Sequence, residues 1–277
     1  MKKLSFILVL GLTLLLAACG GAKDDSKSGD KDSKTIKIAA SNVPHAEILE
    51  KAAPLLEEKG IKLDVQVFDD YVMPNKALDE GSVDANYFQH IPYFEGQVKD
   101  NDYDFANAGG IHIEPIGVYS KKYESLDDLP KGATIIMSDS VSDHGRMLSM
   151  LETEGLIKLK EGIDKINATV DDIAENPKNL KFKTDIPSTM LTQVYNNDEG
   201  DAVLINSNYA IDADLVPSED AISLESAENN PYVNIIAVQS KDKDNENIKT
   251  LVEVLHSKEI QDFINEEYKG SVIPANE

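Results

Sequence analysis

An α/β fold in two lobes is the architecture this sequence predicts, and three observations predict it. From Thr35 onward, short apolar runs of strand length alternate with longer stretches whose apolar residues recur at helical spacing, a pattern that builds mainly parallel sheets. One helix-turn-strand unit occurs twice, as Asp79-Glu80-Gly81-Ser82-Val83-Asp84-Ala85-Asn86 and as Asp198-Glu199-Gly200-Asp201-Ala202 followed by Asn206. The chain has 277 residues, 41% of them hydrophobic, which suffices for one large or two modest domains with a buried core. The residues alone leave the echo with two readings. It marks two hinged lobes that present groups at strand C-termini, where open α/β sheets bind ligands, or it is chance recurrence of a common unit.

The elements follow in order. Lys2 and Lys3 precede an apolar run from Leu4 to Leu16, and Ala17-Ala18 precedes Cys19, so residues 1–18 read as a signal peptide. The run is shorter than the roughly 20 apolar residues of a membrane span. Cys19 is the chain's only cysteine, which rules out an intrachain disulfide, and lipidation gives it a purpose in an exported chain. Residues 19–35 are expected to be this lipidated Cys and a disordered tether, rich in Lys, Asp, Ser and Gly. A first strand over 36–40 leads to a helix over 44–59, with Ile48, Leu55 and Leu56 on one face, Pro54 inside it and Gly60 as its stop. Leu63, Val65 and Val67 alternate with polar residues as a second strand. Further strands are expected over 113–120, 134–137, 202–205 and 234–240, and one closing helix over 246–267. With crossovers near 113–120 and 232–236, residues 36–115 plus 236–277 form lobe 1 and 116–235 form lobe 2.

Charge and motif content narrow the function. Fifty acidic residues against 27 basic ones give a formal charge of −23, a poor match for nucleic acid. The chain has no Gly-x-Ser-x-Gly and no phosphate-cradling glycine loop, so neither an enzyme nor a cofactor is expected. A zinc or manganese receptor is the rival among binding proteins. However, His45, His90, His112, His144 and His256 are dispersed without i, i+4 or His-x-His pairs, and no metal site is expected. A surface adhesin is a third class.

Two clusters carry candidate chemistry. Arg146 is the only arginine, so any task for a planar, bidentate guanidinium falls to it. It follows the polar stretch 138–143 and precedes a helical face of Met147, Leu148 and Leu151, which places it in a first helical turn. A cation there calls for an anion nearby, either a bound carboxylate or one of the many Asp and Glu side chains in a surface or domain-bridging ion pair. The second cluster joins Tyr71 to the run Asn86-Tyr87-Phe88-Gln89-His90-Ile91-Pro92-Tyr93. Aromatic walls and a neutral imidazole suit a polarisable thioether side chain, while aromatic core packing with a satisfied His accounts equally for the spacing.

Six motifs then give a specific resemblance. They are Tyr71-Val72-x-Pro74-Asn75-x-Ala77-Leu78, Asp84-Ala85-Asn86-x-Phe88-Gln89-His90-x-Pro92-Tyr93, Pro115-Ile116-Gly117-x-Tyr119-Ser120, Gly155-Leu156-Ile157-x-Leu159, Asn206-x-Asn208-Tyr209-Ala210 and Asn230-Pro231-Tyr232-Val233-Asn234. Together, from about residue 36 to the C-terminus, the chain resembles the methionine-binding lipoproteins of the NlpA family, and Ala17-Ala18-Cys19 resembles the bacterial lipobox. The resemblance implies a two-lobed periplasmic-binding-protein-like fold on the extracytoplasmic face of the membrane. It also implies a monomer that clamps methionine or a close analogue and delivers it to the permease of an ABC importer. Tyr71, Phe88, His90 and Tyr93 would wall the side-chain pocket, Arg146 would hold the carboxylate, and Asn206 and Asn234 would bond the amino and carboxylate groups. One stretch departs from the family pattern of Pro-Asn-Asp, a few residues, then Asn-x-Gly-Arg. Here it reads Met137-Ser138-Asp139-Ser140-Val141-Ser142-Asp143-His144-Gly145-Arg146, one residue longer.

Overall fold

The computed structural model describes residues 34–275, which fold around two sheets that the chain visits in turn. The expected signal peptide, Cys19 and the tether up to Ser33 lie outside the described residues. The first pass through sheet one runs β1 (Thr35–Ala40), α1 (Glu47–Glu58), β2 (Lys62–Val67), α2 (Met73–Asp79), β3 (Ala85–His90), α3 (Ile91–Asn101) and β4 (Phe105–Ile113). Sheet two follows with β5 (Gly117–Tyr119), β6 (Thr134–Ser138), α4 (Val141–Thr153), the small ribbon β7 (Lys158–Leu159) and β8 (Ile173–Glu175), and then β9 (Lys181–Ile186). It continues through α5 (Leu191–Asn196), β10 (Ala202–Ile205), α6 (Ser207–Asp212), α7 (Pro217–Asp220) and β11 (Ser223–Leu224). The chain returns to sheet one through β12 (Val233–Gln239), α8 (Glu246–Leu255), α9 (Lys258–Tyr268) and β13 (Ile273–Pro274).

The six strands of sheet one lie in the order β13-β4-β12-β3-β1-β2, and the five of sheet two in the order β11-β5-β10-β6-β9. The expected parallel pairing joins β1 to β2 and β3, and β6 to β9 and β10. β12 and β5, the strands by which the chain enters a sheet from the other one, pair antiparallel with β3 and β10, so both sheets are mixed. Val233, Asn234 and Ile235 already pair with β4 in sheet one, three residues before the expected boundary at 236.

The internal echo has a structural basis. Asp84 accepts the Lys37 backbone N–H at 2.8 Å and Asp201 accepts that of Thr134 at 2.7 Å, each carboxylate fastening its strand to the neighbouring parallel one. Gly81 and Gly200 both turn the chain at φ +69°, a left-handed conformation that costs glycine little. Two sheets of like order result.

Apolar periodicity explains the layers. Ile48, Leu49, Ala52 and Leu56 of α1, with Ile248, Leu251 and Leu255 of α8, cover one face of sheet one, while Ala77, Leu78 and Phe94 of α2 and α3 cover the other. Met147, Leu148 and Leu151 of α4 cover sheet two on one side, and Leu191, Val194 and Ala210 of α5 and α6 cover the opposite side. Two expected elements divide. The single strand over 113–120 becomes β4 and β5 in different sheets, because Pro115 has no N–H to continue a ladder. The closing helix over 246–267 breaks at Ser257, whose extended backbone (φ −62°, ψ 150°) starts α9.

Candidate ligand-binding cleft

The carboxyl ends of the parallel strands converge on one cleft. Phe88 and His90 finish β3, Asn206 follows β10, Glu114 follows β4, and antiparallel β12 brings Asn234 to the same end. Asp143 and Arg146 reach it from α4, and Tyr71 and Tyr93 from the start of the helices beside β3. All seven residues expected at the site, Tyr71, Phe88, His90, Tyr93, Arg146, Asn206 and Asn234, therefore line the same cleft.

Its apolar end is a built wall. The Asp70 carboxylate accepts the backbone N–H groups of Val72 (2.6 Å) and Met73 (2.8 Å), which fixes the turn carrying Tyr71. Tyr93 donates its hydroxyl to the Tyr71 carbonyl at 2.9 Å, and the ring centroids of Tyr71, Phe88 and Tyr93 stand 5.9–6.2 Å apart. Behind them Asn75, Asn86 and Gln89 form a buried amide knot with bonds of 2.9–3.0 Å, so these motif residues hold α2 against β3. The Tyr93 N–H donates to His90 Nδ1 at 3.1 Å, which leaves the ring proton on Nε2, 3.0 Å from Asp143 Oδ1.

The polar end is charged and buried. Asp143 is buried, accepts from His90 and from Asn206 Nδ2 (3.1 Å), and has Arg146 Nη1 at 3.7 Å. Burial alone would push its carboxyl up, but the bond and charge of His90, the Arg146 guanidinium and the Asn206 amide hold it well below the usual range. Among the described residues Asn206 Oδ1 is buried without a hydrogen-bond partner. Burial raises the Glu114 carboxyl, against the pull of His45 and Arg146.

Arg146 differs from expectation in two respects. α4 starts at Val141, so the guanidinium belongs to the second turn, beyond the strongest part of the helix dipole. At 5% exposure it is also no surface pair. Its Nε faces both Glu225 oxygens (3.2 and 3.1 Å), Nη2 bonds Glu225 and the Glu114 carbonyl, and its plane lies 4.5 Å from the Tyr232 ring centre. Among the described residues Nη1 makes no hydrogen bond, so one edge of the fork remains for an anion in the cleft.

The model of the NlpA lipoprotein family matches residues 36–276 of this chain. The chain belongs to the NlpA lipoprotein family. It is 53% identical over 279 residues to a Bacillus subtilis (strain 168) protein named methionine-binding lipoprotein MetQ, covering 100% of both chains. With the D-methionine-binding lipoprotein MetQ of Escherichia coli (strain K12) it shares 35% identity, over 94% of this chain and 93% of that one. A nutrient binding protein from Burkholderia cenocepacia, solved bound to methionine, is 45% identical with a TM-score of 0.82, over 87% of this chain and 100% of that one.

Glu114 and Asp143 line the cleft of this NlpA lipoprotein, and Glu225 and Tyr232 hold Arg146 beside it; the sequence had assigned none of these four to the site. Asp143 had a signal, standing one helical turn before Arg146 where the family pattern has Asn. Glu225 had none, since its bond to Arg146 spans 79 positions.

Proposed function

We propose that this protein captures free methionine, or a close analogue, between its two sheets and delivers it to the permease of an ABC importer. The observation that carries the reading is the cleft's complementarity to one zwitterion. Arg146 Nη1, 3.7 Å from Asp143 and without a hydrogen bond among the described residues, is left to donate to a carboxylate. Asn206 Oδ1 is a buried acceptor without a partner among the described residues, and with the ionised Asp143 beside it suits an ammonium group. The wall of Tyr71, Phe88 and Tyr93 offers ring edges and faces to a thioether. The methionine in the names of the relatives, and in the Burkholderia structure, supports the same ligand. Membership in a lipoprotein family and the Ala17-Ala18-Cys19 motif support a lipid anchor at Cys19 and an extracytoplasmic location, with the protein acting as a monomeric carrier rather than an enzyme. Lobe 1 would then comprise 36–115 plus 236–277 and lobe 2 residues 116–235, shifted at the second crossover to include Val233 in lobe 1.

Calorimetry tests the ligand. L-methionine is expected to bind one per chain, and its analogue without the amino group far more weakly, because Asn206 Oδ1 and Asp143 would lose their donor. Equal affinities would remove the ammonium contacts, and no methionine binding would overturn the function.

A further inference from the structure

At the base of the cleft, sharing Glu114 and Asn234 with its lining, lies a buried cluster apart from the aromatic wall and the Arg146–Asp143 pair. His45 in the turn before α1, His112 on β4 and Glu114 just after it are far apart in sequence, yet one ligand atom from each lies within 4.8 Å of the others, and all three are buried. Glu114 Oε1 is 3.1 Å from His45 Nε2 and 2.7 Å from His112 Nε2. A fourth donor, Asn234 Oδ1, lies 3.1 Å from His45 Nε2, and Asn234 is the register partner of His112. We propose that His45, His112 and Glu114, with Asn234 Oδ1 completing the set, form a binding site for one zinc-type divalent cation.

Chemistry and access both fit. Zinc takes imidazole nitrogen and carboxylate oxygen at about 2.0–2.2 Å in four-coordinate sites, which sets neighbouring ligand atoms roughly 3–3.5 Å apart; the Glu114–His45, Glu114–His112 and His45–Asn234 pairs stand at 2.7–3.1 Å, and a small outward shift of the side chains admits the ion. Both imidazoles are buried and turn their Nε2 atoms toward the Glu114 carboxylate. Binding moves each ring proton from Nε2 to Nδ1. At His112 the Tyr87 hydroxyl already bonds Nδ1 and turns from donor to acceptor, the outer partner that a metal-bound imidazole uses. Among the described residues His45 Nδ1 is buried without a partner, which makes His112 the anchoring ligand and His45 the weaker one. Glu114 and Asn234 line the cleft, so the ion enters from there.

The test uses the full chain, stripped with chelator and free of amino acid, titrated with Co²⁺ by visible absorption and with Zn²⁺ against a chromophoric chelator. One ion per chain is expected, with four-coordinate Co²⁺ bands. Uptake is lost in Glu114→Gln and in His112→Gln, and weakened about ten-fold in Tyr87→Phe, which keeps the ring packed. Circular dichroism checks that each variant is folded. Absence of saturable one-to-one uptake by the native chain overturns the site, and so does uptake unchanged in folded Glu114→Gln. Because no amino acid is present, neither result depends on the methionine reading.

Discussion

Arg146 is tied to the cleft by two partners, the Glu225 carboxylate and the Glu114 carbonyl. Glu225 fixes Nε and Nη2 while Nη1 stands 3.7 Å from Asp143, so on the proposed function the guanidinium is oriented before any ligand arrives. Lysine carries the charge but not the fork, and it would leave Glu225 and the Glu114 carbonyl imperfectly matched in a dry site. Arg146→Lys is therefore expected to raise the methionine Kd by about 100-fold, equivalent to about 2.7 kcal/mol; unchanged affinity by calorimetry would remove Arg146 from the ligand contacts. Phe88 acts at the other end, where the contact is area rather than charge. Phe88→Ala is expected to cost about 2–3 kcal/mol of methionine affinity while leaving an alanine-sized ligand nearly unaffected, and equal losses for both would take Phe88 out of the side-chain pocket.

Helix α4 carries Asp143 and Arg146 on one rigid support, and its seating depends on a glycine between them. A Cβ on Gly145 would stand 2.2 Å from the Ile166 carbonyl oxygen and 2.3 Å from that of Lys165. Backbone atoms cannot move aside as a side-chain end can, so Gly145→Ala must push α4 away from the 165–167 turn. A loss of about 1–3 kcal/mol in urea unfolding is expected, together with weaker methionine binding as Asp143 and Arg146 move with the helix. Native stability in that variant would show that the close approach is not maintained. The same helix shows what was legible in the sequence. Met147, Leu148 and Leu151 gave its buried face by periodicity, but its start at Val141 was hidden, because Ser138, Asp139, Ser140 and Ser142 are turn formers as readily as first-turn residues. Strands with alternating or continuous apolar runs, such as β1, β2 and β10, could be read directly. The division of 113–120 between sheets could not, since apolar run length says nothing about which sheet a strand joins. Within the cleft, local motifs revealed the aromatic wall. Glu225 and the pairing of His45 with Glu114 are tertiary facts with no local trace.

For the whole molecule, the decisive electrostatic feature is that neutral imidazoles and carboxylates are packed together where the two sheets meet the cleft. His45 and His112 titrate near 6.5 when unfolded but at about 4 and about 3 when buried, so between those values the unfolded chain binds up to two more protons than the folded one. Their contribution is complete above pH 6.5 and is lost on acidification. Glu114 works in the opposite direction: its raised carboxyl binds a proton in the folded state first, and that contribution fades as pH rises through its folded value. Asp143 is held low and matters only below the ordinary carboxylate range. Two imidazoles outweigh one carboxyl. Stability is therefore expected to fall on acidification, read as a declining urea midpoint between pH 7 and 4.5. In the absence of metal, His45→Gln and His112→Gln should each flatten that slope, and together they should reverse its sign by leaving Glu114 alone. A flat native profile would mean that these imidazoles are solvated in solution, which would also withdraw the dry interior on which the tight Arg146 and Asp143 contacts depend.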